Sequence, residues 1–143
     1  MIGREGELHE YDYCGFSLIV HSPPNTEIGG DVLLLLPGQA SAHRLTRADS
    51  RHNTLLVTEQ CDQLCVMCSQ PPPKKQHSDL FDQFATAVTL APNDSYVGIS
   101  GGEPMLHKER LFTFLETSAA LRPDVRFHIL TNGSISNQAT SRG

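Results

Sequence analysis

The chain has 143 residues with 11 Lys and Arg against 16 Asp and Glu, a formal charge of −5, which argues against a nucleic-acid partner held through its phosphates. This length corresponds to about one domain, and a complete eight-stranded α/β barrel, which needs about 250 residues, is excluded. The longest purely apolar run is Val32 to Leu36, far below the roughly 18 residues of a membrane span, and no signal-peptide pattern opens the chain. A cytoplasmic protein with neither a membrane nor a nucleic-acid partner is the expectation.

In chain order, residues 1–52 show short apolar runs, Phe16 to Val20 and Val32 to Leu36, punctuated by Pro23-Pro24, Gly29-Gly30 and Pro37-Gly38. Runs of that length between such breakers read as strands, giving a small β-rich N-terminal extension. From residue 53 the pattern changes. Thr54 to Thr58 is a β-branched and apolar strand running directly into Cys61. Pro71-Pro72-Pro73-Lys74-Lys75 must be extended, because each proline fixes its own φ and biases the preceding residue away from helix. The two lysines read as solvated charges. Ser78 as cap and Asp79 in the first turn then open a helix, with Leu80, Phe81, Phe84, Val88 and Ala91 at helical spacing up to Pro92.

Ser95 to Ser100 reads as a second strand ending in Gly101-Gly102-Glu103-Pro104, His107 to Leu121 as a second helix stopped by Pro123, and Val125 to Leu130 as a third strand closed by Thr131-Asn132-Gly133. Strands joined by connections of a dozen or more residues pair in parallel. The spacing therefore predicts three strands of an α/β sheet or barrel in 53–143, with the polar segment from Ser134 to Gly143 standing where another helix would begin. His107 reads as a helix-start histidine in solvent, and His128 as a packed or capped strand residue.

Cys61, Cys65 and Cys68 stand in the spacing C-x3-C-x2-C on a loop after a predicted strand. Four cysteines scattered at random would produce it in about one chain of this length in a thousand. Three thiolates on a short loop can each hold one iron of a [4Fe-4S] cube and leave the fourth iron open to a ligand. The rival is a structural zinc module closed by His52, His77 or Cys14. It lacks the second paired spacing that such sites use, and Cys14 alone reads as an ordinary buried thiol. The Gly101-Gly102 pair follows the next parallel strand and so shares the edge where α/β folds bind ligands. Lacking Cβ, it lets backbone approach a ligand closely, and Glu103 adds a negative charge suited to an ammonium.

Taken with Thr131-Asn132-Gly133, these motifs resemble the radical S-adenosylmethionine (SAM) superfamily over about Thr54 to Gly133. The stretch Thr58-Glu59-Gln60-Cys61-Asp62-Gln63-Leu64-Cys65-Val66-Met67-Cys68-Ser69-Gln70-Pro71-Pro72 is most similar to the His-Xaa-Ser system radical SAM maturases. The resemblance implies an α/β fold, the N-terminal half of a partial (β/α)6 TIM-type barrel carrying the β-rich extension. Its radical SAM core would be 53–143, truncated after the third strand.

The resemblance also implies Cys61, Cys65 and Cys68 as ligands of a [4Fe-4S] cluster whose open iron chelates the amino and carboxylate groups of SAM. Gly101, Gly102 and Glu103 would position the methionine ammonium, and Pro104 would stiffen their loop. Thr131 and Asn132 would line the cofactor pocket, and Met67 would cover the adenine where many members have an aromatic residue. The implied activity is generation of a 5′-deoxyadenosyl radical for maturation of a peptide or protein bearing His-Xaa-Ser repeats, with an electron donor as partner. No residue is assigned to catalysis itself. Family barrels continue for further strand-helix units, so the resemblance implies a fragment, or half of an enzyme completed by a second maturase chain. The alternatives are a catalytically inactive metal- or peptide-binding fragment and the structural zinc module.

Overall fold

The computed structural model describes residues 7–36, 38, 40–68 and 80–134. The proline-lysine connector, Ser78 and Asp79 at the first helix start, His77 and most of the polar C-terminal segment lie outside the described residues. The chain divides into two compact units, Met1–Gly30 and Asp31–Gly143.

The first unit is a hairpin of β1 (Glu7–Tyr13) and β2 (Phe16–Ser22), paired antiparallel with Tyr13 opposite Phe16. Its two-residue turn places Cys14 and Gly15 at φ 51° and 83°. Positive φ at both central positions gives a twist that matches the flanking strands. Cys14, expected to be buried, is exposed on this turn. Tyr11 and Tyr13 pair with Leu18 and Phe16, which places these apolar side chains on one face of the ribbon.

The second unit opens with another antiparallel hairpin, β3 (Val32–Leu36) and β4 (Ser41–Thr46). Asp31 ties its ends together, pairing with the Arg44 guanidinium and accepting from the Ala48 N–H at 2.8 Å. The Arg47 N–H donates to Asn53 Oδ1 at 2.9 Å, joining the hairpin to the strand that follows. That strand, β5 (His52–Thr58), pairs in parallel with β6 (Tyr96–Gly101), which pairs in parallel with β7 (Arg126–Ile129). The order β5-β6-β7 follows the chain, as connections long enough to carry α1 (Phe81–Thr89) and α2 (Lys108–Leu121) allow.

Both helices bury one stripe on the sheet. Phe81, Phe84 and Val88 from α1 and Leu111 and Phe114 from α2 pack with Leu55, Val57, Val97, Ile99 and Val125 in one core. The Phe114 ring bridges Phe81 and Phe127 at centroid separations of 5.8 and 6.1 Å, adding aromatic edge contacts to simple burial. Arg122 closes this packing. Its Nη1 donates to the carbonyls of Val88, Thr89 and Ala91, and its Nη2 to that of Pro92, satisfying the carbonyls that α1 leaves at its C-terminus. Asp124 holds the guanidinium in place through bonds of 2.8 and 2.7 Å.

The half-barrel expectation is overturned. Among the described residues, seven strands lie in three small sheets, two of them antiparallel hairpins, with only two α-helices and no barrel. Strands joined by short turns, as β1 to β2 and β3 to β4 are, can pair only antiparallel, so they form ribbons and cannot extend a parallel sheet. Among the described strands, only β5 to β7 have connections long enough for parallel pairing. Among the described residues no helix is long and apolar enough to cross a membrane.

Candidate functional site

Because β5, β6 and β7 run in parallel, the segments leaving their C-terminal ends share one edge of the sheet. The first carries Cys61, Cys65 and Cys68, the second Gly101-Gly102-Glu103-Pro104, and the third Thr131-Asn132-Gly133. The three are stitched to one another directly.

The first seam is backbone. The Gly102 N–H donates to the Thr58 carbonyl and the Glu103 N–H to the Gln60 carbonyl, both at 2.8 Å. A Cβ on Gly101 would stand 2.1 Å from the Thr58 oxygen, and one on Gly102 2.1 Å from the Gln60 oxygen. Gly101 also has φ +134°, a conformation that side chains disfavour. The close approach of the two strand ends and the segments that follow them requires glycine at both positions.

Glu103 makes the second seam. Its side chain is wholly buried, at 0% exposure. Oε1 accepts from the Met105 N–H at 2.8 Å and the Thr131 hydroxyl at 2.7 Å, and Oε2 accepts from the Asn132 N–H at 2.6 Å. The Met105 bond caps the short 3-10 helix Pro104–His107, with Pro104 buried at its first position. A buried carboxylate needs its lone pairs satisfied, and the backbone and side-chain donors of its own strand-end segments supply this. Glu103 is therefore a clasp between the β6 and β7 segments, with its charge directed into the protein.

The third seam runs back to the cysteine segment through Asp62, which sequence reasoning missed. The Asn132 side-chain amide donates to Asp62 Oδ1 at 2.9 Å and the Ser134 hydroxyl to Oδ2 at 2.6 Å. The Ser134 bond chiefly, then the Asn132 bond, hold the Asp62 carboxyl below its ordinary value. A carboxylate directly after the first cysteine and an Asn in Thr-Asn-Gly were the available signals. Their pairing spans 70 residues and has no local pattern.

None of the four cysteines is in a disulfide; Cys61 is half-buried, while Cys65 and Cys68 are exposed. The Cys68 N–H donates to the Cys65 carbonyl at 3.0 Å, closing a turn across Val66 and Met67. Met67 is 93% exposed, and Leu64 and Val66 beside it are also exposed. Among the described residues no three His, Cys, Asp or Glu side chains are gathered into a metal-binding group. The donor set nevertheless fits a thiophilic metal: three thiols within eight residues, two of them on an exposed turn at the ligand edge of a parallel sheet. Holding a cluster would require the Cys65 and Cys68 side chains to draw in around Cys61.

His52, a possible zinc partner, stacks on Tyr96 at 5.0 Å at the start of β5. The seven-residue strand, about 20 Å long, separates it from the cysteines. His107 is half-buried, with Nε2 3.4 Å from Thr58 Oγ1 and its ring edge-on to Phe81, and so departs from the solvent position expected of it. His128 also departs from expectation: it is exposed, opposite Gly98 in the register.

Comparisons with protein-family models, with curated proteins and with solved structures return no match to this chain.

Proposed function

We propose that this chain is a radical SAM protein of the peptide-maturase kind, with Cys61, Cys65 and Cys68 holding a [4Fe-4S] cluster and SAM binding beside it. When bound and reduced, such a cluster would supply the electron that cleaves a carbon-sulfur bond of SAM, giving methionine and a 5′-deoxyadenosyl radical able to take a hydrogen atom from substrate. The chain's own part is to bind and orient. Gly101 and Gly102 present backbone to the methionine ammonium, Glu103 and Pro104 fix that backbone, Thr131 and Asn132 border the pocket, and Met67 covers the adenine. The substrate is a peptide or protein with His-Xaa-Ser repeats, met in the cytoplasm with an electron donor, and a second maturase chain would supply further substrate contacts.

One observation carries this reading: the C-x3-C-x2-C, Gly-Gly-Glu-Pro and Thr-Asn-Gly segments lie at one sheet edge and are hydrogen-bonded to one another. Backbone packing accounts for the two glycines, and the three thiols, none in a disulfide and two of them exposed, are what the metal reading explains. The test is anaerobic reconstitution with iron and sulfide, beside a variant with Cys61, Cys65 and Cys68 all changed to Ala. About four irons per chain, lost in the variant, support the proposal. Zinc in place of iron would make this a structural zinc module. Iron uptake without any response to SAM would make it an inactive metal-binding protein.

A further inference from the structure

The cysteine segment is anchored unevenly. Upstream of Cys61, the Thr58 and Gln60 carbonyls are held by the Gly102 and Glu103 N–H groups. Immediately downstream, the Asp62 carboxylate is held by Asn132 and Ser134. Cys61 thus lies between residues hydrogen-bonded to the neighbouring segments on both sides and is half-buried, while Cys65 and Cys68 sit exposed.

We propose that Asp62 is a positioning residue that presets Cys61 as the fixed first ligand, onto which the Cys65–Cys68 turn closes when metal binds. This rests on the metal-binding reading above and deepens it. The physical reason is preorganisation: a ligand already held in place loses little freedom on binding, so the ordering cost falls on the exposed turn alone. The bracket acts by hydrogen bonding. An Asn at position 62 can still accept from the Asn132 amide through its oxygen and donate to the Ser134 hydroxyl through its nitrogen, whereas Ala can do neither.

Two measurements on the full chain test this, one of them without metal. In the apo protein, iodoacetamide labelling read by mass spectrometry should modify Cys61 more slowly than Cys65 and Cys68. Asp62→Ala should raise the Cys61 rate at least fivefold, toward that of the other two, and Asp62→Asn should stay within twofold of wild type. In the reconstituted protein, a chelator should strip iron at least fivefold faster from Asp62→Ala. Ser134→Ala should have an intermediate effect and add nothing to Asp62→Ala in the double variant, since both remove one bracket. Unchanged labelling of Cys61 in Asp62→Ala overturns the proposal whether or not iron is taken up. Lost protection in a chain that takes up no iron overturns the cluster reading and leaves the bracket standing.

Discussion

Asn132 is gripped by two carboxylates at once: its backbone N–H donates to Glu103 Oε2 at 2.6 Å and its side-chain amide to Asp62 Oδ1 at 2.9 Å. One residue at the end of β7 thereby joins the glycine segment after β6 to the cysteine segment after β5. Its sequence neighbours complete the link, Thr131 donating to Glu103 and Ser134 to Asp62.

Removing the buried half of this link should be costly. Glu103→Ala leaves the Met105 N–H, the Thr131 hydroxyl and the Asn132 N–H without their buried acceptor. A loss of about 3 kcal/mol is expected. Urea unfolding should show it as a lower midpoint, and a midpoint equal to wild type would mean that Glu103 does not clasp the segments.

Glycine substitutions should rank by what a Cβ meets. Gly101→Ala and Gly102→Ala each force a Cβ to 2.1 Å from a backbone oxygen and should cost more than about 2 kcal/mol. At Gly98 the nearest atoms are His128 Nε2 and Thr54 Oγ1 at 3.0 Å, both side-chain atoms on exposed residues. Gly98→Ala should be milder than either. Thermal unfolding of the three variants checks the order.

Much of this arrangement was legible in the sequence, for identifiable reasons. Apolar strands alternating with helical periodicity announce β5, α1, β6, α2 and β7, and the connection lengths announce parallel pairing. Strands β1 and β4 were not legible, because Glu7–Tyr13 and Ser41–Thr46 mix charged and apolar residues, and their pairing is set by turns rather than burial. The half of a (β/α)6 barrel is implied by resemblance alone, which carries no account of hairpin turns. In the sequence Glu103 reads as a charge offered to a ligand, because burial of an acid shows only when donors from distant segments converge on it. Asp62 was missed for the same reason.

Arg122 should matter for stability rather than binding, since it serves the carbonyls at the end of α1 on the helix side of the sheet. Arg122→Met keeps the aliphatic stem and removes the donors, and a loss of roughly 2 kcal/mol is expected. Cys61 labelling should be unchanged, and altered labelling would contradict this separation of roles.

The same cluster sets an acid limit. Arg122, then the Asp94 backbone N–H, hold the Asp124 carboxyl far below its ordinary value. The folded pKa lies below the unfolded one, about 3.9. The resulting stabilisation is complete above about pH 5 and fades as pH falls below about 4 toward the folded value. Asp124→Asn should flatten this part of the stability profile between about pH 5 and pH 2. An unaltered acid slope in that variant would show that the ion pair contributes nothing.

The most direct test is electron paramagnetic resonance of the reconstituted, reduced protein recorded with and without SAM. A [4Fe-4S] signal that shifts on adding SAM, and is absent when Cys61, Cys65 and Cys68 are all Ala, is the expected result, because an iron without a protein ligand must be open to the added amino and carboxylate groups. A signal that SAM leaves unchanged, or no cluster signal in the wild-type chain, would contradict the assignment.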